Sequence, residues 1–454
     1  MNRHRKPSPM TNGPGGFGFD AQLRSIAELA GSNAIPRRSA PRAAPPPELA
    51  ADARLDGSIV PEARTPRDSD SVAGSALAVP APRGVFLTGA AGFLGAHLLH
   101  ELAARTDAEV HCLVRAADRD AARARILAAL HRYRLWSPQV AARVIPIAGD
   151  LTMPQFGLPT AEYAALSRDV DAVIHNGARV NHAEPYARLR AANTLGTATV
   201  LRFACTAIPK PVHFVSTTSV GSATAAPMSP VLESARPALG ELSGNGYVLS
   251  KWVGEVLTAQ AAARGLPTVI HRPDRICGNP HTGAASPDDA FWTLVRAAIL
   301  LGGVPPADLE VSLVPADYVA SAIVHTLIHA TAAPSDRPVD SAAAPVHHLV
   351  NQTSIRCGLV WERLRHKGFE IVTMPVSGLA ARLETAAGDD PDLARALILG
   401  EQAGFSGTPV SWDDSNARIA LAGSGIDCPP MSIDLIDRHI DYFVQTGFLP
   451  APRH

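Results

Sequence analysis

The sequence predicts an α/β protein: a doubly wound parallel sheet with a smaller, mainly helical C-terminal substrate lobe. Three observations predict it. Val85-Phe86-Leu87, bounded by Gly84 and Thr88, is a short apolar run that reads as a buried strand. Gly89-Ala90-Ala91-Gly92-Phe93-Leu94-Gly95 follows, and Ala96, Leu98 and Leu99 begin a helix. Further apolar runs then recur between helix-like stretches, the order that builds a Rossmann-like sheet from βαβ units.

In the first unit, glycine lets the backbone approach a pyrophosphate lying at the helix N-terminus. Gly89 makes the turn, Gly92 permits the approach, and Gly95 lets helix pack on strand. The spacing is GxxGxxG rather than GxGxxG. A strand before it and a helix after it give it a weight that a bare glycine triplet lacks. Glu109–Val114 is the second strand and ends in Arg115, where an NAD-type site places an acidic residue. Arginine suits a 2′-phosphate through paired charge-assisted hydrogen bonds, so the expected cofactor is NADP(H). Arg125 is a second candidate phosphate ligand, and Asp118 is the competing acidic residue.

Arg143 to Ala148 is the third strand, closed by Gly149-Asp150-Leu151, with Asp150 placed for an adenine amino group or for a turn cap. Asp171 to His175 is the fourth and runs into Asn176-Gly177-Ala178, small enough for a cofactor to lie against the backbone. A long helix opens after Pro185 and carries Asn193, a residue unfavourable inside a helix and so a candidate for function. Val212–Val215 is the fifth strand, ending in the hydroxyl run Ser216-Thr217-Thr218-Ser219. Tyr247 and Lys251, four apart, share one helix face, where an ammonium favours the phenolate and makes the tyrosine a better proton donor and acceptor. Val269-Ile270 is the sixth strand, ending in His271-Arg272-Pro273. Beyond it, Pro287-Asp288-Asp289 caps a helix through Phe291, Trp292 and Leu294, Val314–Val319 re-enters helix, and His348–Asn351 is a late strand. His347 and His348 lack a third ligand at metal spacing and read as loop and strand-start residues; no metal site is expected.

Basic and acidic residues nearly balance, 41 against 42, which argues against a nucleic-acid or membrane partner. The 5 cysteines are scattered without metal spacing, as free thiols of a reducing compartment are. Pro7, Pro9 and Pro14 follow the basic start where a secretory signal needs an apolar core, so the expected location is the cytoplasm. Residues 1–80 are Pro/Ala-rich and read as a disordered tail. Within it, Phe17, Phe19, Leu23, Ile26 and Leu29 form a short amphipathic island. Ala51–Glu62, with Leu55, Ile59 and Val60, forms a lead-in that packs on the fold. Residues 81–275 are the expected dinucleotide-binding domain, and 276–454 the substrate lobe, interleaved with the last strands.

These residues resemble the extended short-chain dehydrogenase/reductases and, within them, the thioester reductase family. That family includes the terminal reductase domains of nonribosomal peptide and polyketide synthetases and of carboxylic acid reductases. The resemblance rests on the glycine turn, Cys112-Leu113-Val114-Arg115-Ala116, Gly149-Asp150-Leu151 and His175-Asn176-Gly177-Ala178. It continues in Pro185-Tyr186, Asn193–Thr197, Gly246-Tyr247, Ser250-Lys251-Trp252-Val253 and Gly447-Phe448-Leu449-Pro450, about Leu55 to Pro450 in all. It implies NADPH-dependent reduction of an acyl or peptidyl thioester on the phosphopantetheine arm of a carrier protein, giving an aldehyde or, after a second reduction, an alcohol. It places the catalytic groups on Thr217 (with Thr218 as alternative), Tyr247 and Lys251, and Asn193 joins them by positioning a water for proton relay. The implied dinucleotide ligands are Thr88, Gly89, Gly92, Phe93, Leu94, Gly95, Arg115, Arg125, Asp150, Leu151, Asn176, Gly177, Ala178, Tyr247 and Lys251.

Two positions depart from the family pattern: Ala91 stands for its usual Thr, and Asp274 for the Gly after Arg272-Pro273. The chain shows no adenylation domain and no Gly-Gly-x-Ser loading site in its first 80 residues, so the thioester is expected to arrive on another protein. Arg123, Arg125, Arg132 and Arg134 mark one candidate docking face. Competing readings are a nucleotide-sugar epimerase or dehydratase, an acyl-coenzyme A reductase, and a non-enzymatic NADP-sensing regulator. The regulator would have no need of Tyr247 and Lys251.

Overall fold

Val85 and Leu87 face one side of their strand and Phe86 the other, and both sides are buried. A strand apolar on both faces requires helices on both, which is the condition for a parallel sheet. The computed structural model describes residues 46–61, 81–182, 184–225, 229–242, 244–304, 310–329, 344–375, 378–379, 382 and 410–452. The amphipathic island at Phe17–Leu29 lies outside them.

The seven-stranded sheet comprises β1 (Gly84–Thr88), β2 (Glu109–Val114), β3 (Val144–Ala148), β4 (Ala172–His175), β5 (Val212–Val215), β6 (Thr268–Pro273) and β7 (Val346–Leu349). Its order is β7-β6-β5-β4-β1-β2-β3, and every pairing is parallel. The order reverses between β1 and β4. The crevice outside the carboxyl ends of these two strands is where a doubly wound sheet holds its ligand.

On one face, α2 (Phe93–Arg105) and α3 (Arg119–Arg132) join the lobe helices in a single core. The opposite face is filled by Phe86, Phe156 and Phe203, whose ring centroids lie 4.8–5.5 Å apart. That second core also takes up the segment 46–61, whose Leu49, Leu55 and Ile59 are buried, whereas Val60 is half exposed. Its short helix α1 (Leu49–Asp52) ends in a carboxylate that accepts from Tyr186 Oη at 2.7 Å and from Arg190 Nε and Nη2 at 2.6 Å.

The helix after Pro185 is not regular. It runs as α4 (Tyr186–Arg190), a π-helical turn over Ala191–Leu195, and α5 (Gly196–Cys205). The helix bearing Tyr247 and Lys251 is α6 (Gly246–Ala263). In the lobe are α7 (Ala290–Leu301), capped by Asp289 of the expected run Pro287-Asp288-Asp289, α8 (Ala316–Ile328), α9 (Ser415–Leu421) and α10 (Ile433–Gln445).

Two sequence expectations are corrected. Val314-Pro315 is a strand paired with Ile276-Cys277 and only Ala316 starts the helix, because proline suits a strand end or first turn better than a helix interior. His347 lies within β7, opposite His271, rather than in the preceding loop, and His348, opposite Arg272, is inside the strand rather than at its start.

Candidate functional site

The glycine turn leaves β1 through Gly89 at φ +73°, in the left-handed region that favours glycine. Gly95 cannot carry a side chain, since a Cβ there would fall 2.0 Å from the Gly89 carbonyl oxygen. Gly92 is exposed, and no side chain caps the 13-residue helix α2 that begins after it. The first-turn N–H groups of α2 are therefore free of side-chain partners at the positive end of a long helix dipole. A Cβ on Gly89 would meet Gly177 Cα at 2.9 Å, and one on Gly177 would meet Leu151 Cδ1 at 2.8 Å, so both positions need bare backbone. This cradle fits the pyrophosphate of a dinucleotide.

Several expected ligands do other work. Thr88 is fully buried, with its hydroxyl engaged by Gly177 N and His175 Nδ1, so its side chain does not face the crevice. Leu94 is buried in the core and Phe93 packs edge-on against Tyr133, which leaves their backbone N–H groups for the site. The Asp150 carboxylate accepts from Thr152 N at 2.8 Å and Thr152 Oγ1 at 2.9 Å, closing a turn after β3. Asn176 and Ala178 are half-buried beside Gly177, the Asn176 amide 3.5 Å from the Gly89 carbonyl. Arg115 is exposed at the end of β2, and the Arg125 guanidinium donates to its carbonyl. Asp118 caps α3 by accepting from Ala121 N at 2.8 Å, which gives the competing acidic residue a structural role.

The candidate catalytic residues lie on α6 and on the turn that follows β5. Asn245 caps α6 through Tyr247 N and Val248 N, and the Tyr247 ring packs edge-on against His182 at 5.0 Å. Lys251 Nζ donates to Val215 O at 2.8 Å and lies 5.0 Å from the centroid of Phe214. Burial draws the Lys251 ammonium down to about 8, and Glu255 acts in the opposite direction. Burial pushes the Tyr247 hydroxyl well above its ordinary range. The expected lowering by Lys251 is thus not seen: no hydrogen bond joins the two side chains among the described residues, because the ammonium turns to the strand carbonyl.

Of the two threonines after β5, Thr217 is half-buried, and its hydroxyl accepts from Ser219 N at 3.2 Å. Thr218 is buried and donates to Asp274 Oδ1 at 3.1 Å. Burial raises the Asp274 carboxyl, against the hydrogen bonds from Arg275, Thr218 and Ser312.

Asn193 sits in the π turn, 2% exposed, with Oδ1 accepting from Arg179 N at 2.7 Å. Its amide hydrogens go to Arg179 O and Ser250 Oγ, at 3.0 and 2.9 Å. It therefore has no donor left for a water and only one lone pair on Oδ1.

Two arginines of the expected basic docking face also make structural hydrogen bonds. Arg123 donates to Val144 O and Ala141 O, and Arg134 lies beyond the end of α3, at φ +58°, donating to Thr282 O and Gln445 Oε1.

Sequence reasoning missed the polar network beneath these strand ends. Arg272 and Glu255 form a buried bidentate pair at 2.8 and 2.6 Å, and Ser216 donates to Glu255 at 2.5 Å. Glu255 lies four residues after Lys251 on the same helix, and a charge recurring on a buried face is the signal that could have found it. Among the described residues no cluster of His, Cys, Asp or Glu is arranged to hold a metal, and no helix is long and apolar enough to cross a membrane.

The model of an NAD-binding family described as male sterility protein matches residues 87–323. An isonitrile lipopeptide synthase of Streptomyces coeruleorubidus is 36% identical over 446 residues, covering 95% of this chain and 28% of that protein. A linear gramicidin synthase polypeptide of Brevibacillus parabrevis is 36% identical over 370 residues, covering 80% of this chain and 7% of that protein. The chain thus spans under a third of the length of these curated relatives. Among solved structures, the terminal R domain from the myxalamid PKS-NRPS pathway superposes with a TM-score of 0.76 at 37% identity, covering 89% of this chain and 99% of that one.

Proposed function

The chain belongs to this NAD-binding family, in its thioester reductase branch, and on that premise we propose that it reduces an acyl or peptidyl thioester held on the phosphopantetheine arm of a carrier protein, with NADPH as reductant, to give an aldehyde. The observation that carries this reading is Lys251 Nζ held at the end of β5, with Thr217 directly after that strand and Tyr247 one turn earlier on α6, in a fold whose glycine turn opens into an uncapped helix N-terminus.

When bound, the dinucleotide supplies the hydride for the thioester carbonyl carbon. Gly89, Gly92, Gly95 and Gly177 provide its backbone cradle, and the exposed Arg115 suits a 2′-phosphate.

The Thr217 and Tyr247 hydroxyls donate to the thioester oxygen as negative charge develops there. Tyr247 Oη gives its proton to that oxygen, and the Lys251 ammonium stabilises the phenolate that remains. The hemithioacetal so formed then breaks its C–S bond, the hydroxyl proton leaving with the sulfur, and releases the aldehyde and the free phosphopantetheine thiol. Asn193 holds Ser250 and the chain leaving β4 in place, so that α6 presents Tyr247 at a fixed height.

Reductant oxidation should be followed with one acyl group offered on a carrier protein and on coenzyme A, with the product identified. A clearly higher kcat/KM for the carrier-bound form is expected, from binding energy remote from the reacting carbonyl. Equal values would replace this reading with an acyl-coenzyme A reductase.

A further inference from the structure

We propose that His175 is a positioning residue: its imidazole, protonated on Nε2, is the central link of a one-way hydrogen-bond chain that fixes the floor of the dinucleotide site against the π turn holding Asn193. His175 ends β4 and is 2% exposed. Thr88 Oγ1 lies 2.8 Å from His175 Nδ1 and accepts from Gly177 N, also at 2.8 Å. On the other side of the ring, Nε2 lies 3.0 Å from Thr197 Oγ1, which donates to Asn193 O at 2.6 Å.

Proton arithmetic sets the tautomer. A threonine hydroxyl has one hydrogen to give. Thr197 gives its hydrogen to the Asn193 carbonyl, so it must accept from the ring, and Nε2 carries the proton. Nδ1 is then bare and takes the hydrogen of Thr88, whose oxygen keeps a lone pair for Gly177. Each hydrogen is used once, and every bond points from Gly177 toward Asn193. The opposite tautomer would set a bare Nε2 against a hydroxyl oxygen whose hydrogen is already spent. A charged ring is disfavoured too: burial first, and then the Lys251 ammonium, draw His175 down to about 3. Phe214 packs against both groups.

The two ends of the chain are the two halves of the site. Gly177 is the surface on which Gly89 rests, and Asn193 is tied to Ser250 on the catalytic helix. His175 sets the spacing between them while being held away from the crevice by Thr88. Its kinetic consequence rests on the thioester reductase reading; its tautomer does not.

The unmodified protein, labelled with 15N-histidine, should show His175 with its hydrogen on Nε2 and none on Nδ1 in a long-range 1H–15N correlation, the signal being assigned by its loss in His175→Gln. A hydrogen on Nδ1, or a doubly protonated ring near neutral pH, would overturn the proposal without touching the reductase reading. In turnover, His175→Leu keeps bulk but neither hydrogen bond, and should lower kcat about tenfold or more with the thioester KM within about twofold. His175→Gln restores one donor and one acceptor and should recover much of that loss. Equal losses in the two variants would reduce His175 to packing and overturn the proposal. Should His175→Leu fail to fold, the tautomer of the unmodified protein decides. Absence of thioester reduction by the unmodified protein, with the tautomer as proposed, would sink the reductase reading alone.

Discussion

Tyr247 has its hydroxyl raised by burial, and the Lys251 ammonium gives one of its three hydrogens to a strand carbonyl. A tyrosine in that state is a poor acid, so the proposed chemistry depends on charge that develops on the substrate oxygen. Tyr247→Phe keeps the packing against His182 but removes the proton, and should lower turnover by about 10² or more while the reduced dinucleotide still binds. Unchanged turnover, measured beside dinucleotide affinity by fluorescence titration, would exclude the acid role. Arg115 carries the second prediction at this scale. The charge at the end of β2 that suits a phosphate is the exposed Arg115, whose carbonyl is held by the Arg125 guanidinium. NADPH should be preferred to NADH by at least about tenfold, roughly 1.4 kcal/mol, and Arg115→Ala should erase most of that preference. Equal use of both by the unmodified protein would count against the arginine as discriminator.

Among the elements, segment 46–61 behaves as part of the fold. Leu49, Leu55 and Ile59 are buried in the aromatic core, each contributing about 1.5–3 kcal/mol of burial. Gln260 on α6 and Arg264 at its C-terminal cap bind its backbone, Gln260 accepting from Leu55 N at 2.8 Å and Arg264 donating to Leu55 O, also at 2.8 Å. Asp52 holds Tyr186 and Arg190 just before the π turn. A chain that starts at residue 62 should therefore melt several degrees below one that starts at residue 46. Equal melting temperatures would show that these contacts add nothing to stability. The π turn is the second lesson at this scale. Asn193 was legible as an oddity inside a helix, but the extra residue per turn that aims its side chain at Arg179 and Ser250 is not encoded in any spacing of apolar residues.

Across the whole molecule, the loop between β5 and α6 is stitched to the C-terminal segment. Val231 exchanges backbone bonds with Ser411 and Asp413, and the buried Glu233 accepts from His348 N at 2.7 Å, Asn416 N at 2.5 Å and Ala417 N at 3.2 Å. The lobe thus holds the loop that leads into the catalytic helix. Glu233→Gln turns an amide N–H₂ toward these donors and leaves a buried N–H without an acceptor, a cost of about 1–3 kcal/mol. Its melting temperature should fall, and limited proteolysis should cut residues 411–421 sooner; an unchanged cleavage pattern and melting point would remove Glu233 from this role. The sequence by itself determined the parallel sheet, the glycine turn and the Tyr247/Lys251 pair. Apolar runs, glycine requirements and a four-residue helical spacing are local properties, and a single stretch of chain expresses each of them. Only the tertiary structure decided where Lys251 points, that Thr88 and Asp118 serve the scaffold, that His347 and His348 lie within β7, and that Glu255 pairs with Arg272. Those outcomes depend on which hydrogen-bond partner a buried polar group finds once distant strands and helices have closed over it, and spacing along the chain carries no record of that choice.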